Sequence, residues 1–243
     1  MSLFDDRLKG LCAGLVVTAG VTTTASGFLV PDLELSVQVN GDAPILPAHG
    51  GTDLGGGAFN YSGELKEDPL FPDWIVTWDF NANLAESFAS IGSGLTIDNL
   101  SNETLEFVIL LTVPLDHAYS PQVQYGGSAG FTIVGTGGGE IATLGMGQSL
   151  WEAQLDGVEV GSLFDHPGGT GFTGSGSSST SGNLTPGVFG PVLDSIGIQL
   201  NFSLTPDDSV TVTGIFGMSE IPGPSTMALL GLGAVIGRRR RRG

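Results

Sequence analysis

Residues 126–130 read Gly-Gly-Ser-Ala-Gly, the Gly-x-Ser-x-Gly pattern of a nucleophile elbow with Ser128 at its apex. Such an elbow needs a strand before it and a helix after it. Here Phe131-Thr132-Ile133-Val134 continues as strand, so the stretch reads as a glycine-rich loop. Asp79, Asn81 and Asn83 have the 1, 3, 5 oxygen spacing of a calcium loop, with Glu86 close behind. The EF-hand form also requires glycine at the sixth place and glutamate at the twelfth, where this chain has Leu84 and Ser90. What remains is a shallower Ca2+ site on Asp79, Asn81, Asn83 and Glu86, set against ordinary turn chemistry after a strand. His49, His117 and His166 lack the short spacing of a zinc site and read as loop residues. Trp74 and Trp78, four apart, share one face of a strand and could stack on sugar rings if exposed. Core packing is the competing reading, because a sandwich of this size needs large side chains. Five Asn-x-Ser/Thr sequons, at Asn60, Asn99, Asn102, Asn183 and Asn201, read as turn and strand residues. No catalytic constellation stands out, and the chain is expected to be non-catalytic.

The elements that must position these residues are strands. Ile196, Ile198, Leu200, Phe202 and Leu204 alternate with polar or small residues from Ser195, a period of two that gathers the apolar side chains on one face. Val210 to Thr213 repeats the alternation after Pro206-Asp207-Asp208, which predicts a hairpin. A second hairpin is expected at Asp156-Gly157, since that pair suits the positive φ angles of a type I′ turn. Glu106 to Val113 is nearly continuous in apolar residues and reads as a strand buried on both faces or in a sandwich core. Further strands are expected at Leu33–Val39, Phe59–Leu65, Trp74–Phe80, Gly94–Ile97 and Phe131–Val134. Gly168 to Gly187, rich in Gly, Ser and Thr, reads as a long flexible loop or a polar edge hairpin. About ten short strands of this kind predict an all-β fold, a single β-sandwich of jelly-roll or immunoglobulin-like type.

Composition agrees with strands and narrows the partners. Forty glycines and thirteen prolines among 243 residues disfavour helix. Between residues 26 and 220 the only lysine or arginine is Lys66, while all the acidic residues except Asp5 and Asp6 lie there. A body so acidic repels nucleic-acid phosphates, favours solubility and draws divalent cations such as Ca2+ to its surface.

The two ends carry addresses. Arg7 and Lys9 precede an apolar stretch from Gly10 to Val21, and Thr22-Thr23-Thr24-Ala25-Ser26 supplies small residues for signal peptidase. Residues 1–25 are therefore expected to be a signal peptide, and Cys12 would leave with it, giving a mature protein without thiols. At the other end Ile221-Pro222-Gly223-Pro224-Ser225-Thr226 is followed by an apolar run from Met227 to Gly237 and then Arg238, Arg239, Arg240, Arg241 and Arg242. Eleven helical residues span roughly 16 Å, short of a hydrocarbon core of about 30 Å. Snorkelling arginines can stretch that span, so the segment reads as a short transmembrane helix and marginal anchor with a cytoplasmic arginine stop.

This ending resembles the PEP-CTERM sorting signal of Gram-negative bacteria, with Pro222, Pro224, Ser225 and Thr226 matching the motif and Gly223 standing where the family carries glutamate. The resemblance implies an exosortase, a membrane transpeptidase, as partner, with transient inner-membrane anchoring, cleavage near the Pro-Gly-Pro segment, and release or attachment at the cell surface, often among exopolysaccharide. Trp74 to Phe80, Leu95 through Asn102 to Pro114, and Ile196 to Phe216 are also similar to the bodies of many such extracellular proteins. That similarity implies a structural or binding β domain. The expected division is residues 1–25 signal peptide, 26–220 acidic β-sandwich and 221–243 sorting signal. The expected role is an exported structural or adhesive matrix protein, with a carbohydrate- or calcium-binding module as the alternative.

Overall fold

The structure is a computed structural model that describes residues 30–47 and 50–222. The assigned signal peptide, Cys12, His49 and the tail from Gly223 to Arg242 lie outside the described residues. Within them the chain forms fourteen strands and no helix. They are β1 (Glu34–Val39), β2 (Gly51–Gly55), β3 (Ala58–Lys66), β4 (Trp74–Ala85), β5 (Phe88–Asn99), β6 (Leu105–Pro114), β7 (Val123–Gly135), β8 (Gly139–Ala142), β9 (Ser149–Leu155), β10 (Val158–Asp165), β11 (Gly169–Phe172), β12 (Gly176–Phe189), β13 (Ser195–Leu204) and β14 (Asp208–Glu220).

Two antiparallel seven-stranded sheets result. One, the larger because most of its strands are longer, runs β12-β7-β14-β5-β4-β3-β2. The other runs β1-β6-β13, and β13 then pairs with β9 through Ile196–Leu200 and with β8 through Ser203 and Leu204. Strands β8 and β9 thus act as one broken strand, and β11 and β10 pair beyond them as a second. From β5 onward the chain crosses between sheets at every step except the run β8 to β11, which stays in the smaller sheet.

The alternation read from sequence is the reason the sheets pack face to face. Along β4, Trp74, Val76, Trp78, Phe80, Ala82 and Leu84 point inward and are buried, while Thr77, Asp79, Asn81 and Asn83 point out. Along β6, Phe107, Ile109, Leu111 and Val113 are buried with half-buried residues between them, so this is the sandwich-core strand. Aromatic edges cross the interface: Trp74 meets Phe107 at 6.5 Å and 88°, Trp151 meets Phe216 at 6.2 Å and 80°, and Phe131 meets Phe164 at 5.4 Å and 89°. Such edge-to-face pairs add about 0.5–1.5 kcal/mol each beyond the area that they bury. The result is a β-sandwich-like arrangement around one core.

Three local expectations resolve differently from one another. The Asp156-Gly157 turn joins paired strands β9 and β10, with φ of 51° and 72° at its two residues. Its carboxylate also accepts backbone N–H groups from Leu193, Asp194 and Ser195 at 2.9, 2.8 and 3.0 Å. The hairpin expected at Pro206-Asp207-Asp208 does not form, because that turn sends the chain across the sandwich from β13 to β14, which lie in different sheets. Gly168 to Gly187 is neither a loop nor a hairpin: it supplies β11 to one sheet and most of β12 to the other.

Candidate functional site

The outward face of the larger sheet is built almost entirely from small polar residues. Strand register places Thr77 opposite Thr96, Thr96 opposite Thr211, Thr211 opposite Thr132, and Thr132 opposite Ser179. Five hydroxyls thus rank across β4, β5, β14, β7 and β12 at the interstrand spacing of about 4.8 Å. The next rank of outward residues is Asp79, Gly94, Thr213, Gly130 and Ser181, and the one beyond it Asn81, Gly92, Ile215, Ser128 and Asn183. In a body with a single lysine and so many acids, the central part of this face carries no charge.

Glycines cut a trench into it. Two depressions of about 490 and 400 Å³ share Ser128, Asn183 and Ile215 and cross β14, β7 and β12, the larger reaching β5. Gly126, Gly130 and Gly217 form their floor. Packing does not demand two of these glycines. A Cβ at Gly126 would meet nothing nearer than Pro186 Cγ at 3.9 Å, and one at Gly130 nothing nearer than Thr213 Oγ1 at 3.5 Å. Neither has a positive φ. A β-branched residue would favour the strand, whereas glycine inside a strand marks a place where something approaches the backbone closely. Gly127, by contrast, is required, because its Cβ would lie 2.7 Å from the Ile215 carbonyl oxygen and 3.2 Å from Trp151.

The polar side chains along the trench are uncommitted. Ser90, Gln124, Ser128, Ser181, Asn183 and Thr213 make no side-chain hydrogen bond to the protein among the described residues. Ile215 and Phe88, 51% and 38% exposed, supply apolar patches between them. Donors and acceptors are available in the same groups, since each hydroxyl or carboxamide can do both.

The sequence-predicted residues fall elsewhere or play other parts. Trp74 and Trp78 are 4% and 3% exposed, so the sugar-stacking expectation is corrected: both rings belong to the core. Asp79, Asn81 and Asn83 line the outer face of a straight strand rather than a loop, which spreads Asp79 and Asn83 over about 13 Å. Asn60 of β3 bridges the first two, donating its amide to Asp79 Oδ1 at 2.6 Å and lying 3.2 Å from Asn81 Oδ1. Glu86 lies in the β4–β5 turn, where its carbonyl oxygen is 3.2 Å from His117 Nε2. The four expected calcium ligands therefore do not converge. Ser128 sits in the middle of β7, so residues 126–130 are strand and not loop, and no histidine or carboxylate lines its depressions. Asp116 and His117 do meet, through Oδ1 and Nδ1 at 2.5 Å. His166 Nδ1 lies 2.8 Å from Thr143 Oγ1. Pro222 closes the described chain, and the rest of the sorting motif and the arginine stop lie outside the described residues.

A larger open cavity of about 810 Å³ lies along β8 and β11, lined by Glu140, His166, Phe172 and Thr205 among glycines. Its polar groups are largely engaged within the fold. Thr205 Oγ1 accepts the Glu140 N–H at 2.7 Å and donates to Asp208 Oδ2, and Thr143 holds His166. Behind it Asp208 is 2% exposed, with Oδ1 unpartnered among the described residues. Burial, and then the neighbouring Asp207 charge, raise the Asp208 pKa, against the hydrogen bond from Thr205. A carboxyl with a raised pKa in the folded state binds its proton more tightly there than in the unfolded chain. Its contribution is favourable below the unfolded pKa, about 3.9, and is lost as pH rises through the folded value. Asp208→Asn should therefore raise the Tm at neutral pH, with the gain shrinking toward zero as the pH falls below about 4. A gain independent of pH in thermal melts across the acid-to-neutral range would contradict this account.

No family model matches the chain, and no curated protein or solved structure is significantly similar to it.

Proposed function

We propose that the chain is an exported, non-catalytic adhesive protein of the cell surface or extracellular matrix, delivered by a PEP-CTERM-like signal and holding its target through the outer face of the larger sheet. The observation that carries this reading is the centre of that face: broad, uncharged within an acidic body, and lined by polar groups not engaged in the fold. Large surfaces of this kind suit multivalent contact better than catalysis, which needs convergent acid, base or nucleophile groups. Pro222, Pro224, Ser225 and Thr226, with the arginines from Arg238 to Arg242, support delivery through signal peptidase and an exosortase-type transpeptidase.

The fold is of jelly-roll type in this reading. Strands β5, β6, β7, β8/β9, β10/β11, β12, β13 and β14 act as eight successive strands. Their sheet orders β5-β14-β7-β12 and β6-β13-β9-β10 reproduce the double Greek-key interleaving of that class, with β1 to β4 extending the edges. An immunoglobulin-like arrangement would keep more consecutive strands in one sheet.

The test is retention in the native host. A chain carrying Thr211→Asp and Ser128→Asp should shift from the surface and matrix fraction to the medium several-fold, while its Tm stays close to that of the parent. Intact-mass analysis of the same fractions should give a protein lacking residues 1–25 and the tail beyond Pro222. Unchanged retention of the double variant would refute the adhesive face.

A further inference from the structure

The trench that crosses β5, β14, β7 and β12 has a shape and chemistry that select one class of occupant. It runs over three interstrand gaps, about 14 Å, and its two depressions together are long enough for an extended polymer rather than a compact metabolite. No Asp, Glu, Lys, Arg or His lines it. An anionic polymer would be repelled by the acidic body around it, and a basic peptide would be drawn to those acids and away from an uncharged floor. Buried water or packing does not explain the free side chains, because the trench is open and its floor glycines at 126 and 130 have room for a Cβ.

We propose that this trench binds an uncharged polysaccharide strand. The inference rests on the adhesive reading and names its ligand. Ser128, Ser181, Thr213, Gln124 and Asn183 each offer both a donor and an acceptor, matching sugar hydroxyls that do the same. Ile215 stands exposed in the middle of the floor and meets the apolar C–H face of a sugar ring. The glycines let the ring plane come down onto the sheet backbone, as a side chain at 126 or 130 would prevent. The polar groups farther out on the same sheet are engaged instead: on β3 and β4, Asn60 donates to Asp79 and Asn81.

The test uses the processed protein recovered from its host, run in affinity gels containing dextran, mannan, a mixed-linkage β-glucan or a galactan, with alginate as the anionic counterpart. At least one neutral polymer should retard it and alginate should not. Gly126→Val, whose Cβ has room at 3.9 Å from Pro186 Cγ, and Ser181→Asp, which places a charge in the trench lining, should each weaken that retardation about tenfold or more. Their Tm values should match or exceed the parent's, so that lost binding is not lost folding. Migration unaltered in all four neutral gels overturns the proposal, as does retardation that both variants keep. Loss of matrix retention in the Thr211→Asp and Ser128→Asp chain without any neutral-polymer binding would overturn this inference while leaving the adhesive reading intact. Unchanged retention would instead remove the reading on which it stands.

Discussion

Trp78→Ala lowers the unfolding free energy by about 3–5 kcal/mol, the range for truncating a large buried aromatic, and lowers the Tm by on the order of 10 °C. The ring is 3% exposed, and it lies against Gly63 of β3 so closely that a Cβ built there would come within 2.3 Å of Cζ2. Glycine at 63 is therefore the mould into which the indole fits. Gly63→Val should be destabilising by a similar mechanism, overpacking in place of a cavity. Because the two residues share one volume, combining Gly63→Ala with Trp78→Phe should cost less than the sum of the separate effects. The indole Nε1 has no hydrogen-bond partner among the described residues, so Trp78→Phe alone also removes a buried unsatisfied donor and should cost far less than alanine. Chemical denaturation of these variants measures all of this. A Trp78→Ala protein with parental stability would mean that the ring is not in the core, and would return it to the surface as a ligand platform.

Asn99→Ala is expected to cost about 2–4 kcal/mol, because one carboxamide stitches the two sheets together and truncation strands several buried groups at once. Asn99 is fully buried at the end of β5. Its Nδ2 lies 2.8, 2.9 and 3.1 Å from the carbonyl oxygens of Glu103, Leu204 and Thr205, the second of these in β13 of the opposite sheet. Its Oδ1 accepts the Ser101 N–H at 3.1 Å and the Ser101 hydroxyl at 2.7 Å. Asn99→Asp separates shape from hydrogen bonding: it fills the same space but presents an oxygen to three carbonyls. It should be at least as damaging as alanine at neutral pH in urea unfolding curves. An Asn99→Asp protein as stable as the parent would mean that the amide contacts carry no stability. The same geometry removes Asn99 from the sequon set, since an amide enclosed in this way is inaccessible to a transferase once the chain has folded.

The strands were legible where a single periodicity decides them. Ser195–Leu204 alternates in sequence and buries all five of its apolar side chains, the near-continuous apolar run Glu106–Val113 forms a strand whose residues from Phe107 onward are buried or half-buried, and Asp156-Gly157 turned as its two residue types require. Period two says which residues share a face but not which way that face points, and this is why Trp74 and Trp78 could be paired in advance yet placed on either side. Alternating Asp79, Asn81 and Asn83 had the same ambiguity, being compatible with a calcium loop and with the solvent side of a strand. The turn at Pro206-Asp207-Asp208 is local, whereas whether the next strand pairs with the last or crosses the core depends on competition from β5 and β7 for the edges of β14. The trench was harder still, because its residues come from four strands that are far apart in sequence. A signal was present nonetheless. Outward positions 90, 92, 94 and 96 on β5, 126, 128, 130 and 132 on β7, and 209, 211, 213 and 217 on β14 are all Ser, Thr or Gly, so the middle stretches of three strands omit charge on the same face, and the nearest outward acid in these strands is Asp98 at the end of β5.

The last of the described strands carries a mechanical consequence. β14 is not an edge: it pairs with β5 from Asp208 to Ser219 and with β7 from Ser209 to Glu220. The chain leaves it directly, with the Ile221 N–H bonded to the Gln122 carbonyl at 2.9 Å and the Glu220 carboxylate accepting the Ser120 N–H at 2.9 Å. Tension applied beyond Pro222 therefore runs along the axis of a central strand and loads both of its ladders in shear, so that many perpendicular hydrogen bonds must fail together rather than peel one by one. A molecule held by its carboxyl end against flowing water would meet that pull across two full ladders at once.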